Sequence, residues 1–99
     1  MTTSIKKITA LKFWVRIVVE KDGEGFYSYT PSLKGIHMGG DTPEEAFDNT
    51  REAAMLYLKS MLKHGDPIPI DVLEPNVTAK LSRSKDIVIS RVEEIKIKI

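Results

Sequence analysis

The stretch Gly39-Gly40-Asp41-Thr42-Pro43-Glu44-Glu45-Ala46 dictates where a helix must begin. Thr42 is a natural N-cap, Pro43 suits the first helical position, and Glu45 stands three residues after the cap. That spacing predicts a capping box. The Thr42 hydroxyl accepts one orphan N–H, and the Glu45 carboxylate accepts the N–H of the cap itself. The glycines before it allow positive φ and a close backbone approach. Asp41, Glu44, Glu45 and Asp48 put negative charge at the positive end of the helix dipole. The helix is expected over residues 43–63, with Ala46, Phe47, Thr50, Ala54, Tyr57, Leu58, Met61 and Leu62 on one broad face. Lys63 and His64 in the last turn, Gly65 after it and Pro67 beyond supply the stop.

Upstream, Leu11, Phe13, Val15, Ile17 and Val19 alternate with Lys12, Trp14, Arg16, Val18 and Glu20, the period of a half-buried strand. Residues 21–25 read as a hairpin loop in which Asp22-Gly23 supplies the turn. Phe26 to Thr30 fits a second, antiparallel strand that Pro31 ends. Ile36-His37-Met38 is a short third strand. Pro67, Pro69 and Pro75 predict an extended connector over 66–76, with Val72 and Leu73 packing on the domain. A last apolar stretch has Ile87, Ile89, Ile95, Ile97 and Ile99 on one parity, interrupted by Arg91 and Glu93. It reads equally as one bent strand or two short ones. Lys96 and Lys98 on the other parity look like edge protection. A three-stranded antiparallel meander, one long amphipathic helix and C-terminal strands make an α+β domain, the helix covering one sheet face. The division expected is a domain over 1–75 and a strand-rich tail over 76–99.

With 99 residues there is room for one domain, and so small a core gains from pairing with another chain. A homo-oligomer, most simply a dimer, is therefore expected. The formal net charge of +1 selects neither nucleic acid nor acidic partners, and the absence of cysteine excludes disulfides and thiolate chemistry. No apolar run has the length of a membrane span and no signal peptide is evident, so a cytoplasmic protein is expected.

The candidates for chemistry are few. His37 and His64 lack the converging partners that a metal or an acid–base site needs. His64 suits the negative end of the helix, and His37 a strand surface. A two-metal nuclease site needs several carboxylates converging on the central strand, but that strand offers only Glu20 at its end. The cluster Lys80, Arg83, Lys85 reads as a solvated linker. No catalytic residue, metal ligand or cofactor is predicted. Glu44 and Asp48, four apart on one helix face, are the candidates for steering a positive partner. Trp14 and Tyr29 are the candidate exposed anchors.

Phe13 to Pro69 resembles the HicB family of antitoxins. The resemblance rests on the strand FWVRIVVEKDGEGF, on Tyr27, Pro31, Leu33 and Gly35, and on Gly40-Asp41-Thr42-Pro43-Glu44-Glu45-Ala46. Asn49 and Gly65-Asp66-Pro67-Ile68-Pro69 complete it. It implies a truncated ribonuclease H-like fold, β-β-β-α-β, without nuclease activity. It also implies a partner, a small basic HicA-type toxin that cleaves mRNA and is masked by direct contact. Many relatives add a DNA-binding module. Here about 30 residues follow Pro69 and read as strand, so this chain alone is not expected to bind an operator. The alternatives are a regulatory or scaffolding domain without a toxin, an RNA-binding module, or a minimal nuclease.

Overall fold

A computed structural model describes residues 9–75 and 85–98. The strands are β1 (Ala10–Asp22), β2 (Gly25–Tyr29), β3 (His37–Gly40) and β4 (Ile87–Lys98), with the helix α1 (Pro43–His64) between β3 and β4. They form one antiparallel sheet in the order β3-β2-β1-β4. This is the expected α+β arrangement, β-β-β-α-β along the chain. The last stretch is one strand. It pairs with β1 from Ala10↔Lys98 to Glu20↔Ile87, with one register shift at Val19/Glu20 that leaves Val88 as the extra residue.

Alternation in β1 sets the layers. Phe13, Val15, Ile17 and Val19 join Ala46, Phe47, Ala54 and Leu58 of α1 and Ile95 and Ile97 of β4 in a single buried core. Leu33, Ile36 and Val72 complete it from the connections. Beneath the helix, Ser28 of β2 donates to the Ala46 carbonyl and shares a hydrogen bond with Thr50, so three buried polar groups satisfy one another.

The helix ends match their signals with one exception. Glu45 N donates to Thr42 Oγ1 at 3.1 Å. The reciprocal bond from the Thr42 N–H to the Glu45 carboxylate does not form, so only half of the capping box is present. Gly65 takes φ +69°, and Gly65 N and Asp66 N donate to the carbonyls of Leu62 and Met61, closing a Schellman motif.

Four expectations are corrected by packing. The β1–β2 hairpin turns on Gly23-Glu24, with Asp22 paired to Gly25 and Gly23 at φ +60°, so glycine occupies the first turn position and Asp22 the strand end. Gly39 and Gly40 lie in β3 without positive φ, and what α1 requires of Gly40 is proximity. Tyr57 is 41% exposed, at the edge of a stripe in which Ala54 and Leu58 are fully buried and Met61 and Leu62 pack against the core. The connector after the helix contains a 3-10 turn over Ile70–Val72, which buries Val72 but leaves Leu73 exposed.

Candidate functional site

Helix and sheet divide the candidate residues between two opposite surfaces. Glu44 and Asp48 are exposed on α1 and line a cleft between the start of the helix and β4. Phe47 and Ile89 give that cleft its apolar floor, and Arg51, Arg91 and Glu93 complete its walls. The Arg91 guanidinium lies 4.9 Å from the centroid of the Phe47 ring and 3.8 Å from the Glu93 carboxylate. Arg91 and Glu93 share the parity of Ile89 and Ile95, which is why they reach the helix side of the sheet. In the sequence they looked like breaks in an apolar pattern. Glu52 follows Asp48 by four residues and is also exposed, so Glu44, Asp48 and Glu52 form an acidic stripe along the outside of α1.

Trp14 and Tyr29 stand on the other side of the sheet. Trp14 follows Phe13 and precedes Val15, both buried under the helix, so the pleat turns it away. Both aromatic residues are half-buried rather than exposed. Val18, paired with Tyr29 on one side and Ser90 on the other, is fully buried on this face and lies outside the core cluster. Tyr27 packs against Tyr29 with ring centroids 5.5 Å apart and stacks on His37 at 5.7 Å, and its hydroxyl bonds His37 Nδ1. Arg16 lies across the same surface and donates to Ser90 Oγ at 3.0 Å, while its Nε is buried without a partner. Lys12 and Glu94 pair at 3.3 Å at the far end. Burial raises the Tyr29 phenol above its ordinary value, and the hydrogen bond and charge of Glu20 raise it further.

The remaining motif residues have structural roles. Gly40 lets α1 sit down on β3: a Cβ there would stand 2.6 Å from the Ala46 nitrogen. Asn49 Nδ2 donates to the Gly39 carbonyl at 2.9 Å and ties the second helical turn to the same strand. Pro31 and Gly35 shape the β2–β3 connection, where Gly35 takes φ +91° and Leu33 is buried. Asp41 precedes the cap, and Pro43 opens the helix. His37 is an exposed strand residue, and His64 Nδ1 bonds the Ser60 carbonyl at 2.8 Å within the last helical turn. Lys80 and Arg83 lie outside the described residues, and Lys85 is exposed.

Among the described residues no three His, Cys, Asp or Glu side chains gather to hold a metal ion. The acids near β1 are committed elsewhere: Glu20 to Tyr29, and Asp22 to the end of the hairpin. These surfaces present an acidic rim on one side and a half-buried aromatic sheet face on the other.

The chain thus forms a small α+β domain, one helix on a four-stranded antiparallel sheet. The chain matches the family described as HicB-like antitoxin of bacterial toxin–antitoxin system over residues 15–96, from within β1 almost to the end of β4, and it belongs to that family. It is similar to a UPF0150 protein of Synechocystis sp., 41% identical over 69 residues that cover 70% of this chain and 84% of the relative. A UPF0150 protein of Thermoplasma acidophilum is 37% identical over 59 residues, 59% of this chain and 86% of that one. A third, from Archaeoglobus fulgidus, is 38% identical over 61 residues, with 59% and 88% covered. No solved structure matches the chain.

Proposed function

We propose that this chain is the antitoxin of a toxin–antitoxin pair and neutralises a small basic HicA-type toxin, an mRNA-cleaving ribonuclease, by direct contact. The observation that carries the reading is the family match over residues 15–96, which takes in every strand and the helix. Non-enzymatic binding suits the surfaces described. The acidic stripe of Glu44, Asp48 and Glu52 is the feature that a basic partner would meet first, because opposite potentials steer diffusional encounter. Glu44 and Asp48 are the proposed steering pair. Trp14 and Tyr29 offer a second contact on the opposite face, which one compact partner cannot occupy while seated on the helix. A toxin that acts on mRNA places the pair in the cytoplasm, and no helix among the described residues is long and apolar enough to cross a membrane.

Co-expression tests this directly. A small basic protein encoded beside this chain should be found, should arrest growth alone, and should be neutralised by this chain and co-purify with it at fixed stoichiometry. Growth arrest that persists in spite of abundant, folded antitoxin would overturn the proposal.

A further inference from the structure

We propose that the end of the domain opposite the acidic helix start binds single-stranded RNA, through basic side chains gathered round Trp14. The inference holds with or without a toxin. A formal net charge of +1 hides a separation of charge along the molecule. α1 and β4 run in the same direction, the helix start beside residues 89–93 and its last turns beside Ile97 and Lys98. Glu44, Asp48 and Glu52 occupy the first half of the helix, and Lys59 and Lys63 the second. With Lys98 these two lysines rim a cleft floored by Leu11, Leu62 and Ile97. Among the described residues no carboxylate lines it.

The register of β4 on β1 carries this positive charge from the cleft onto the open sheet face. Lys98 pairs with Ala10, Lys96 stands directly opposite Lys12, and Glu94 opposite Trp14, with Arg16 two residues further along β1. Residues two apart on a strand share a face and lie roughly 6–7 Å apart, so Lys98, Lys96, Lys12 and Arg16 form a stripe past Trp14. Like charges directly opposite are unfavourable. Glu94 pairs with Lys12, but Lys59, Lys63, Lys96 and Lys98 make no ion pair among the described residues. The helix dipole accounts for Lys63, and edge protection for Lys96 and Lys98. Neither accounts for Lys12 opposite Lys96, nor for Trp14 and Arg16 beside them. A polyanion accounts for both. Its phosphates supply the missing countercharge, and release of its condensed counterions supplies affinity. Trp14 and the Arg16 guanidinium offer flat surfaces on which unpaired bases stack regardless of sequence. Both side chains are half-buried, so little of their freedom is lost on stacking. Duplex bases already stack on one another, which selects a single strand. Glu94 beside Trp14 favours RNA, because a carboxylate accepts from the ribose 2′-hydroxyl that DNA lacks. An acidic protein segment meets the lysines equally well but brings no base to Trp14.

Trp14 is the only tryptophan, so its fluorescence reports stacking without background. Titration of the full chain with an oligouridylate of about ten nucleotides should quench it, that length lying within the usual site size for one domain. Affinity should fall with salt on a logarithmic slope of about −3, the value for four phosphate contacts on a single strand. Lys96→Gln with Lys98→Gln, both exposed and outside the core, should weaken binding about tenfold at low salt and lower that slope by about 1.4. Lys21→Gln, at the far end of β1, should change neither. Trp14→Leu, followed by anisotropy of labelled RNA, should weaken binding about tenfold and leave the slope as it is. The lysine variants keep the test sound if Trp14→Leu disturbs the fold. Absence of quenching at low salt would overturn the proposal, as would lysine variants that bind like the native chain. Polyglutamate, duplex RNA or DNA of the same sequence binding as tightly as the oligouridylate would also overturn it, because stacking and the 2′-hydroxyl would then play no part.

Discussion

Gly40 lies so close beneath Ala46 that a Cβ on the glycine would stand 2.6 Å from the Ala46 amide nitrogen and 3.1 Å from its Cα. The obstruction is helix backbone, which cannot rotate away as a side-chain tip can. Gly40→Ala should therefore push the start of α1 off β3 and cost about 1–3 kcal/mol, the usual range for overpacking. Gly39 provides the control. Its Cβ would meet the Phe26 carbonyl at 3.3 Å, a contact that a few tenths of an ångström relieve. Loss of glycine's freedom in the unfolded chain offsets part of that strain, roughly 0.4–1 kcal/mol. Urea unfolding should show a clear loss for Gly40→Ala and little change for Gly39→Ala. Equal midpoints for the two variants would mean that the helix start moves without resistance.

Thr42→Ala isolates the cap. Only one of the two capping-box bonds forms, Glu45 N to Thr42 Oγ1, so the hydroxyl carries the whole contribution. The variant should lose about 0.5–2 kcal/mol, while Glu45→Gln should lose much less because its carboxylate makes no return bond. Comparable losses for the two would show that the full box closes in solution.

Local chemistry was legible in the sequence, and long-range placement was not. Thr42, Pro43 and Gly65 act within one helical turn, so their types and spacing sufficed to bound α1 at Pro43–His64. Gly40 is conspicuous for the same reason, but its use depends on how near the helix comes to β3, and a linear chain does not display that distance. Tyr57 fits the helical stripe by spacing, yet it is 41% exposed and lines a surface cleft with Ser32, Lys34 and Pro69. The separation of Trp14 and Tyr29 from Glu44 and Asp48 was half legible. Alternation with Phe13 and Val15 already turns Trp14 away from any helix on that core. Only the register of β1 with β2 and β4 reveals that Val18, Tyr29 and Ser90 lie side by side there. Arg91 and Glu93 were visible as interruptions. Their position beside Phe47 follows from the packing of α1 on β4.

Tyr29 gives the open sheet face a titration signature. Burial, and then the hydrogen bond and charge of Glu20, hold its phenol above the ordinary value of 10.0. The neutral form is thus favoured in the folded state, and the unfolded chain gives up this proton first. The stabilisation is complete below pH 10 and is lost as pH rises through the folded value. Ultraviolet titration should find one of the three tyrosines ionising later than the others. Glu20→Gln should lower that value without restoring the ordinary one, because burial is the larger cause. Three tyrosines titrating together would mean that the face is hydrated and the Glu20–Tyr29 contact is open.

The acidic helix start yields the most direct test of partner binding. Glu44 and Asp48 are exposed and four residues apart, and among the described residues neither side chain makes an ion pair or hydrogen bond. Glu45 keeps its capping role through its backbone N–H, so Glu44 and Asp48 can be reversed without touching the cap. Their reversal removes favourable charge from the first turns of α1, at about 0.3–1 kcal/mol for each residue, a loss the fold should survive. Against a HicA-type toxin, Glu44→Lys with Asp48→Lys should slow association roughly tenfold or more at low salt and flatten its dependence on ionic strength. Dissociation should change less, because steering acts before the interface desolvates. Alanine at Trp14 and Tyr29 should leave the association rate and its salt slope as they are, since both residues are uncharged and stand on the other face. Stopped-flow mixing across a salt series separates these outcomes. If the double reversal leaves both rate and slope unchanged, the carboxylates serve only the helix dipole and the partner sits elsewhere. If alanine at Trp14 and Tyr29 slows association instead, the open sheet face is the first point of contact.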